Sequence, residues 1–489
     1  MEVDVTFKRK NQNSAIAEAT ALFEQFLETE RPLFAREVAG IRYWHFIRFY
    51  VLEEIHLAKK WIEKSSRGQQ ASFFEKIGIG FELIKNSLSH RIALDDKQAD
   101  VLILNSANKI SRDGRFVDPY TDLWLSDFSA PYTIWENPAL WRHPKHGASA
   151  DLFYLDSLHV RALVCRAISK KFDKPMQHEA ARLVDFAKPF GVELSHNRIF
   201  RLINMVVSLH AAAADYIKRQ LQKKRVKLIV LVNHYDPLKM LITTIAKSLE
   251  IYVVELQHGT MGRYHIAYNF KITHELVGLP HEIFTFGRFW NETTRVFQNG
   301  VRLTAVGSPF YEQKIQNMTD IQPHSKIRVL FLSQETIGRQ LAEMAAALSK
   351  KLGPDLYEVV YKLHPREYHS WRLNYPKEFA DANLQIQTNA DLYKLLNQCD
   401  VHVGVYSTTI MESLAFGKPL ILFKTFGVHH FADLIASGRA LLAETVDEMV
   451  HAIQHPTKFN SDSKDITYFW ETNSKEKLLR RLQEILHDR

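Results

Sequence analysis

Short runs of aliphatic and aromatic residues, each stopping at a polar loop, constrain this chain more than any other feature. "ADVLILN", "RVKLIVLVNH", "IYVVELQHG", "HEIFTFG" and "VRLTAVGSP" follow one another between Ala99 and Pro309. Unbroken apolar runs of this length suit strands buried on both faces. Helical stretches such as "LKMLITTIAKSLE" separate several of them. Strand, loop and helix in alternation imply parallel βαβ units with helices covering the sheet. After the polar, proline-bearing "DIQPHSK" (320–326) a second series begins: "IRVLFLSQE", "YEVVYKLHPRE", "LQIQT", "VHVGVYST" and "PLILF". The expectation is therefore an α/β chain with two Rossmann-like, doubly wound domains, 99–322 and 323–445, facing a cleft. A helical segment, 1–98, precedes them and is expected to pack on the first domain, and helices at 446–489 follow.

Composition removes several functional classes. Cys165 and Cys399 are the only cysteines, which leaves no disulfide framework and no cysteine zinc site. The opening "MEVDVTFKRKNQNS" has no apolar signal core, and no run approaches the roughly 18 apolar residues of a spanning helix. We expect a cytoplasmic protein, at most peripheral on the inner membrane face. The aromatic-rich "GIRYWHFIRFYVLEEIHLAKKWIEK" is read as a helix packed on its own domain rather than a membrane-docking surface. A net charge of +8 favours anionic partners, among them an anionic membrane surface. Nucleic acid is not expected, because no finger spacing, RNP-like segment or long basic block is present. The chain has no G-x-G-x-x-G fingerprint and no P-loop, which argues against a dehydrogenase or an NTPase. With no D-x-D triplet, no H-E-x-x-H and no cysteine pair, neither a metal nor a resident cofactor is expected.

Residues able to carry chemistry collect where strands end, which is where open α/β sheets hold ligands. In "CDVHVGVYSTTIMESLAFGKPLILF" (399–423) a strand gives way to a helix, and Thr409 and Glu412 have capping-box spacing. Ser407 and Thr408 precede that cap, and hydroxyls with free amides at a helix start suit a phosphate. In "YEVVYKLHPRE", Lys362, His364 and Arg366 surround Pro365, which fixes the turn; this is either an anion site or a solvated loop. Lys362 and His364, two apart, should share a face. Ser333, Gln334 and Glu335 follow the first strand of the second domain and are candidates for contacting a nucleotide. In the first domain His258 and Gly259 follow "IYVVEL", and His234 and Asp236 follow "LIVLV". Gly307 and Ser308 form a turn that is structural, a hinge or a phosphate contact. Asp113, Asp118 and Asp122 sit in one loop after the first strand and can supply a base.

"ESLAFGKP" resembles the E-x-x-A-x-G-x-P signature of the carboxyl-terminal domain of GT-B glycosyltransferases. "KLHPRE", followed about forty residues later by "YSTT", resembles the HP and Ser/Thr motif pair of bacterial sialyltransferases, polysialyltransferases and Kdo transferases. "LQHGT" with "KLHP" is also similar to the teichoic-acid glycerophosphotransferase group and related capsule polymerases. The resemblance implies that His364 contacts a donor phosphate, that Ser407 and Thr408 hold the same phosphate, and that Glu412 reaches a ribose hydroxyl. It also implies an aspartate base in the first domain; "RDG" matches only in part, with Arg112 in place of an acid, so Asp113, Asp118 and His258 compete for that role. The implied activity is metal-independent transfer of a sugar from a nucleotide-sugar donor, with CMP-linked donors among the candidates. The implied acceptor is a capsule or lipopolysaccharide glycan, free or lipid-linked. A polyol-phosphate or sugar-phosphate transferase and a UDP-N-acetylglucosamine 2-epimerase-like isomerase are the alternatives.

Overall fold

The computed structural model describes residues 17–62, 73–89, 92, 97–106, 109–112, 115–138, 143, 152–168, 172–272, 276–316, 324–368, 370–455 and 466–489. The first domain contains β1 (Val101–Leu104), the pair β2 (Ile110–Arg112) and β3 (Arg115–Val117), β4 (Tyr132–Glu136) and β5 (Leu152–Tyr154). It continues with β6 (Leu228–Val232), β7 (Tyr252–Leu256), β8 (Glu282–Thr285) and β9 (Arg302–Ala305). Apart from β2 and β3, these strands form one parallel sheet in the order β5-β4-β1-β6-β7-β8-β9. The second domain contains β10 (Ile327–Leu332), β11 (Tyr357–Lys362), β12 (Gln385–Gln387), β13 (Val401–Gly404), β14 (Leu420–Phe423) and β15 (Leu441–Ala443). Its parallel sheet runs β12-β11-β10-β13-β14-β15. Counted within each domain, both sheets follow the doubly wound Rossmann order 3-2-1-4-5-6, which the first sheet extends by one strand. The apolar runs are strands because both their faces are covered: every residue of β1 is fully buried, as is β6 from Leu228 to Leu231.

One local expectation is corrected. The polar loop after β1 is not wholly irregular, since β2 and β3 form an antiparallel hairpin pairing Ile110 with Val117. Asp113 lies outside the described residues.

Both ends of the chain tie the two domains together. In the amino-terminal helix Trp44–Ala58 the rings of Trp44 and Phe46 are buried. Buried Glu30 accepts from Trp44 Nε1 at 2.9 Å and from Arg48 Nε at 2.9 Å, while Arg48 also donates to the carbonyls of Ile266 and Asn269. The guanidinium is thus fully paired, as burial of a charge demands. At the far end of the segment, Trp61 stacks on Phe426 of the second domain at 5.4 Å. The carboxyl-terminal helix Ser474–His487 returns to the first domain, where Leu478, Leu482 and Ile485 share a core with Val101, Ile103 and Val230. Between these, Trp470 stacks on Phe286 of the first domain at 4.7 Å and donates to Met411 O of the second at 2.8 Å. Two parallel sheets held with their carboxyl edges toward one cleft constitute the GT-B fold.

Gly307 shows how closely the returning segment packs. Its φ is +86°, and an added Cβ would lie 2.3 Å from Glu471 O. Gly307→Ala should lower stability by at least ~1 kcal/mol, read as a depressed unfolding midpoint in urea. An unchanged midpoint would mean that the segment does not pack against this turn.

Candidate functional site

Reversal of strand order leaves a crevice between β10 and β13 at the carboxyl edge of the second sheet. Gln334, just after β10, spans it by accepting from Tyr406 N at 3.2 Å. Ser407, Thr408 and Thr409 follow Tyr406 and remain half-buried. Ser407 Oγ accepts from Thr409 N at 3.3 Å, and Thr409 Oγ1 is buried with no hydrogen-bond partner among the described residues. Beside the crevice His364 caps the short turn Pro365–Glu367, its backbone N–H donating to Glu367 Oε2 at 2.8 Å. Arg366 pairs with Glu335 at 3.1 Å, joining the loops after β10 and β11. Ser333 is buried, its hydroxyl 2.9 Å from Tyr375 OH.

Two expectations change here. Thr409 and Glu412 do not form a capping box: Thr408 caps the helix Thr409–Ala415 without a side-chain bond, and Glu412 is buried. The Glu412 carboxyl faces the phenols of Tyr311 and Tyr393; burial pushes its pKa up to about 7, and the phenols act in the opposite direction. Lys362 does not share a ligand-facing surface with His364. Its ammonium is buried and donates to Thr388 O at 3.1 Å and Tyr368 OH at 3.2 Å.

The corresponding crevice of the first sheet, between β1 and β6, is plugged. Buried Lys239 donates its ammonium protons to Asn105 O at 2.8 Å and Val232 O at 2.6 Å, the carbonyls just beyond β1 and at the last residue of β6. Asp236 caps the helix Pro237–Ser248, accepting from the N–H groups of Leu238 and Lys239 at 3.0 and 3.1 Å. Asp118 is buried and organises its own loop: it accepts from the N–H groups of Ser106 and Tyr120 at 2.5 and 2.8 Å and pairs with Lys109 at 3.3 Å. Gly307 faces the returning carboxyl-terminal segment, and Ser308 beside it is buried.

His258 stands at the cleft with its side chain about one-fifth exposed. Its Nε2 lies 3.1 Å from Tyr235 OH, its Nδ1 3.9 Å from Glu255 Oε1, and its carbonyl accepts from Tyr120 OH at 2.9 Å. Burial lowers its pKa to about 4 against the pull of Glu255, so the imidazole is neutral at pH 7. Glu255 in turn binds His234 Nδ1 at 2.6 Å and Tyr268 OH at 2.9 Å. The next residue, Gly259, meets the second domain directly: a Cβ added there would sit 3.7 Å from Thr408 Cγ2, an ordinary contact. The fold therefore brings the His258–Gly259 loop and the Ser407–Thr409 loop against each other. Around them Gly262 approaches His430 O, Tyr264 lies edge-on to His429, and Arg263 pairs with Asp433 at 3.3 Å.

Sequence reasoning missed Tyr120, Tyr235, Glu255 and Lys239. Glu255 could have been found, because an acid inside the apolar run "YVVEL" demands a buried partner. The tyrosines carried no comparable signal.

Residues 208–444 match the family model described as LIC12162 family transferase. No curated protein matches the chain. Solved structures similar to it include the S. aureus MnaA-UDP co-structure, with 9% identity over 80% of this chain and 97% of that one, at a TM-score of 0.47. The spinosyn rhamnosyltransferase SpnG is similar at 13% identity over 78% and 99%, with a TM-score of 0.45. The UDP-GlcNAc 2-epimerase from Neisseria meningitidis, bound to UDP-GlcNAc, has 9% identity over 78% and 99% and a TM-score of 0.45.

Burial of Glu412 gives a pH dependence of known sign. Its carboxyl keeps a proton to higher pH folded than unfolded, so its contribution is complete below pH ~4.5 and is lost as the pH rises through about 7. Glu412→Gln should remove that decline, worth up to about 3 kcal/mol. Denaturation midpoints measured between pH 4 and 8 would show it; parallel profiles for the two proteins would contradict it.

Proposed function

We propose that this chain is a GT-B glycosyltransferase that moves a sugar from a nucleotide-activated donor onto a capsule or lipopolysaccharide glycan. The observation that carries the reading is the meeting of Gly259 with Thr408, because it sets a histidine loop and a hydroxyl-rich helix start on opposite walls of one cleft. The second domain would hold the donor: its crevice is crossed by the neutral side chain of Gln334 and edged by the hydroxyls of Ser407 and Thr408, whereas that of the first is filled by the Lys239 ammonium. The match of 208–444 to a transferase family supports a transferase over other users of this fold.

In this reading the acceptor hydroxyl attacks the anomeric carbon, the bond from that carbon to the donor phosphate breaks, and the nucleotide leaves with the bonding electrons. The hydroxyls of Ser407 and Thr408, at the positive end of helix Thr409–Ala415, stabilise the charge on the leaving phosphate. His364 and Arg366 stand beside them on the loop after β11, and no metal is assigned to the step. His258, neutral and partly exposed, takes up a proton at Nε2 from the Tyr235 hydroxyl 3.1 Å away, which receives the acceptor's proton in turn, with Glu255 positioned to stabilise the imidazolium that forms. Asp118 has the opposite character, since its oxygens are already committed to its own loop. Asp113 is the rival base. A CMP-linked sugar is one donor class to try first, and the reaction would run at the cytoplasmic membrane face on a free or lipid-linked acceptor.

Incubation with CMP-, UDP- and GDP-sugars plus glycan acceptor should release one nucleotide and lengthen the acceptor. Conversion of a sugar that stays nucleotide-linked would identify an isomerase and overturn the proposal; appearance of a phosphodiester in the product would identify the polyol- or sugar-phosphate transferase. With the donor in hand, Thr408→Val and His364→Ala should each lower kcat/KM about 10- to 100-fold, the worth of a hydrogen bond to a charged group. Near-normal turnover in both would remove the phosphate role.

A further inference from the structure

The helix Phe73–Ser89 carries an apolar stripe on its outer side as well as its inner one. Phe81, Ile84 and Leu88 are 72%, 54% and 65% exposed. Their spacing, i, i+3 and i+7, places them on a single face. Leu83, 5% exposed, lies roughly half a turn away and faces the protein. Asn86 ties that inner side to the neighbouring helix Asp156–Ile168 by donating to Asp156 Oδ1 at 3.2 Å. The neighbour adds its own exposed Leu163 and Val164, 52% and 54%. Packing within the domain explains Leu83 and Asn86; it does not explain five large apolar side chains left in water.

The charges around this surface identify its partner. Lys85 stands within the stripe, four residues after Phe81, and Arg166 follows Leu163 by three; both are exposed. Glu82 lies on the flank, about 100° around the helix from Phe81. The rest of the chain reinforces the sign, with a net charge of +8. An exposed apolar stripe with cations in and beside it is matched by the boundary of a lipid bilayer, where acyl chains lie below anionic headgroups.

We propose that the outer faces of helices Phe73–Ser89 and Asp156–Ile168 dock the protein on an anionic membrane surface, with Phe81, Ile84 and Leu88 entering the interface and Lys85 and Arg166 meeting lipid phosphates. The inference deepens the proposed function, since docking would bring the first domain to a lipid-linked acceptor. Vesicle binding is measured without donor or turnover, so either reading can fail without the other.

The test is co-sedimentation of the full chain with phosphatidylcholine vesicles, with and without about 30 mol% phosphatidylglycerol. The protein should bind only the anionic vesicles, and Phe81→Gln/Ile84→Gln/Leu88→Gln should abolish binding while the circular dichroism spectrum stays unchanged. Lys85→Ala and Arg166→Ala should each weaken binding about fivefold. Equal sedimentation with neutral and anionic vesicles would overturn the proposal, as would a triple variant that binds like the parent. Sedimentation velocity showing a dimer that the triple variant loses would also overturn it, by assigning the stripe to a second copy of the chain.

Discussion

Parallel strand order is the constraint from which the rest of this structure follows. When every strand runs the same way, all carboxyl ends, and the loops that leave them, fall on one edge of the sheet. Because the order reverses after the first strand of each sheet, the loops on either side of that point part and open a crevice. Two such edges are then held facing one cleft by contacts that the sheets themselves do not make. Trp61 reaches Phe426 from the amino-terminal side, and Trp470 bridges Phe286 and Met411 from the carboxyl-terminal side. Gly259 approaches Thr408 between the two domains that these contacts join.

The two crevices differ in what fills them. The first domain spends buried charge on its own edge: Lys239 occupies the crevice, Lys109 is shared between Asp118 and Glu136, and Glu255 is shared between His234 and Tyr268. Removing such charges from water is costly, and each is retained because its partners are complete. The result is a rigid polar floor with His258 at its surface. The second domain leaves neutral hydroxyls and a helix start at the equivalent edge, a surface suited to an incoming phosphate. This asymmetry is the physical basis for assigning the donor to the second domain.

Much of this was legible in the sequence, for identifiable reasons. Runs such as "LIVLV" have the length and β-branched content of buried strands, and their alternation with helices implied the parallel class. The loops bearing His258 and Ser407 could be placed at strand ends because the strands were clear. What the sequence could not supply was partnership across long separations. The spacing of Thr409 and Glu412 satisfied a local rule, yet Tyr311 and Tyr393, far away in the chain, took the carboxyl instead. Lys362 looked like a phosphate ligand until Thr388 and Tyr368 were seen to hold it. Asp118, attractive as a base by residue type, and Asp236, a cleft candidate at a strand end, turned out to be committed to backbone N–H groups of their own loops. Local spacing reports what a side chain can do, and the tertiary fold decides which of its partners it meets.

The most direct measurement is a crystal structure of the chain grown with the nucleotide that its donor releases. The account predicts the phosphates of that nucleotide at the β10–β13 crevice, within hydrogen-bond reach of Ser407 or Thr408, with the acceptor side of the cleft open toward His258. A nucleotide bound at the β1–β6 edge with Lys239 displaced, or one whose phosphates make no contact with the loop after β13, would contradict it.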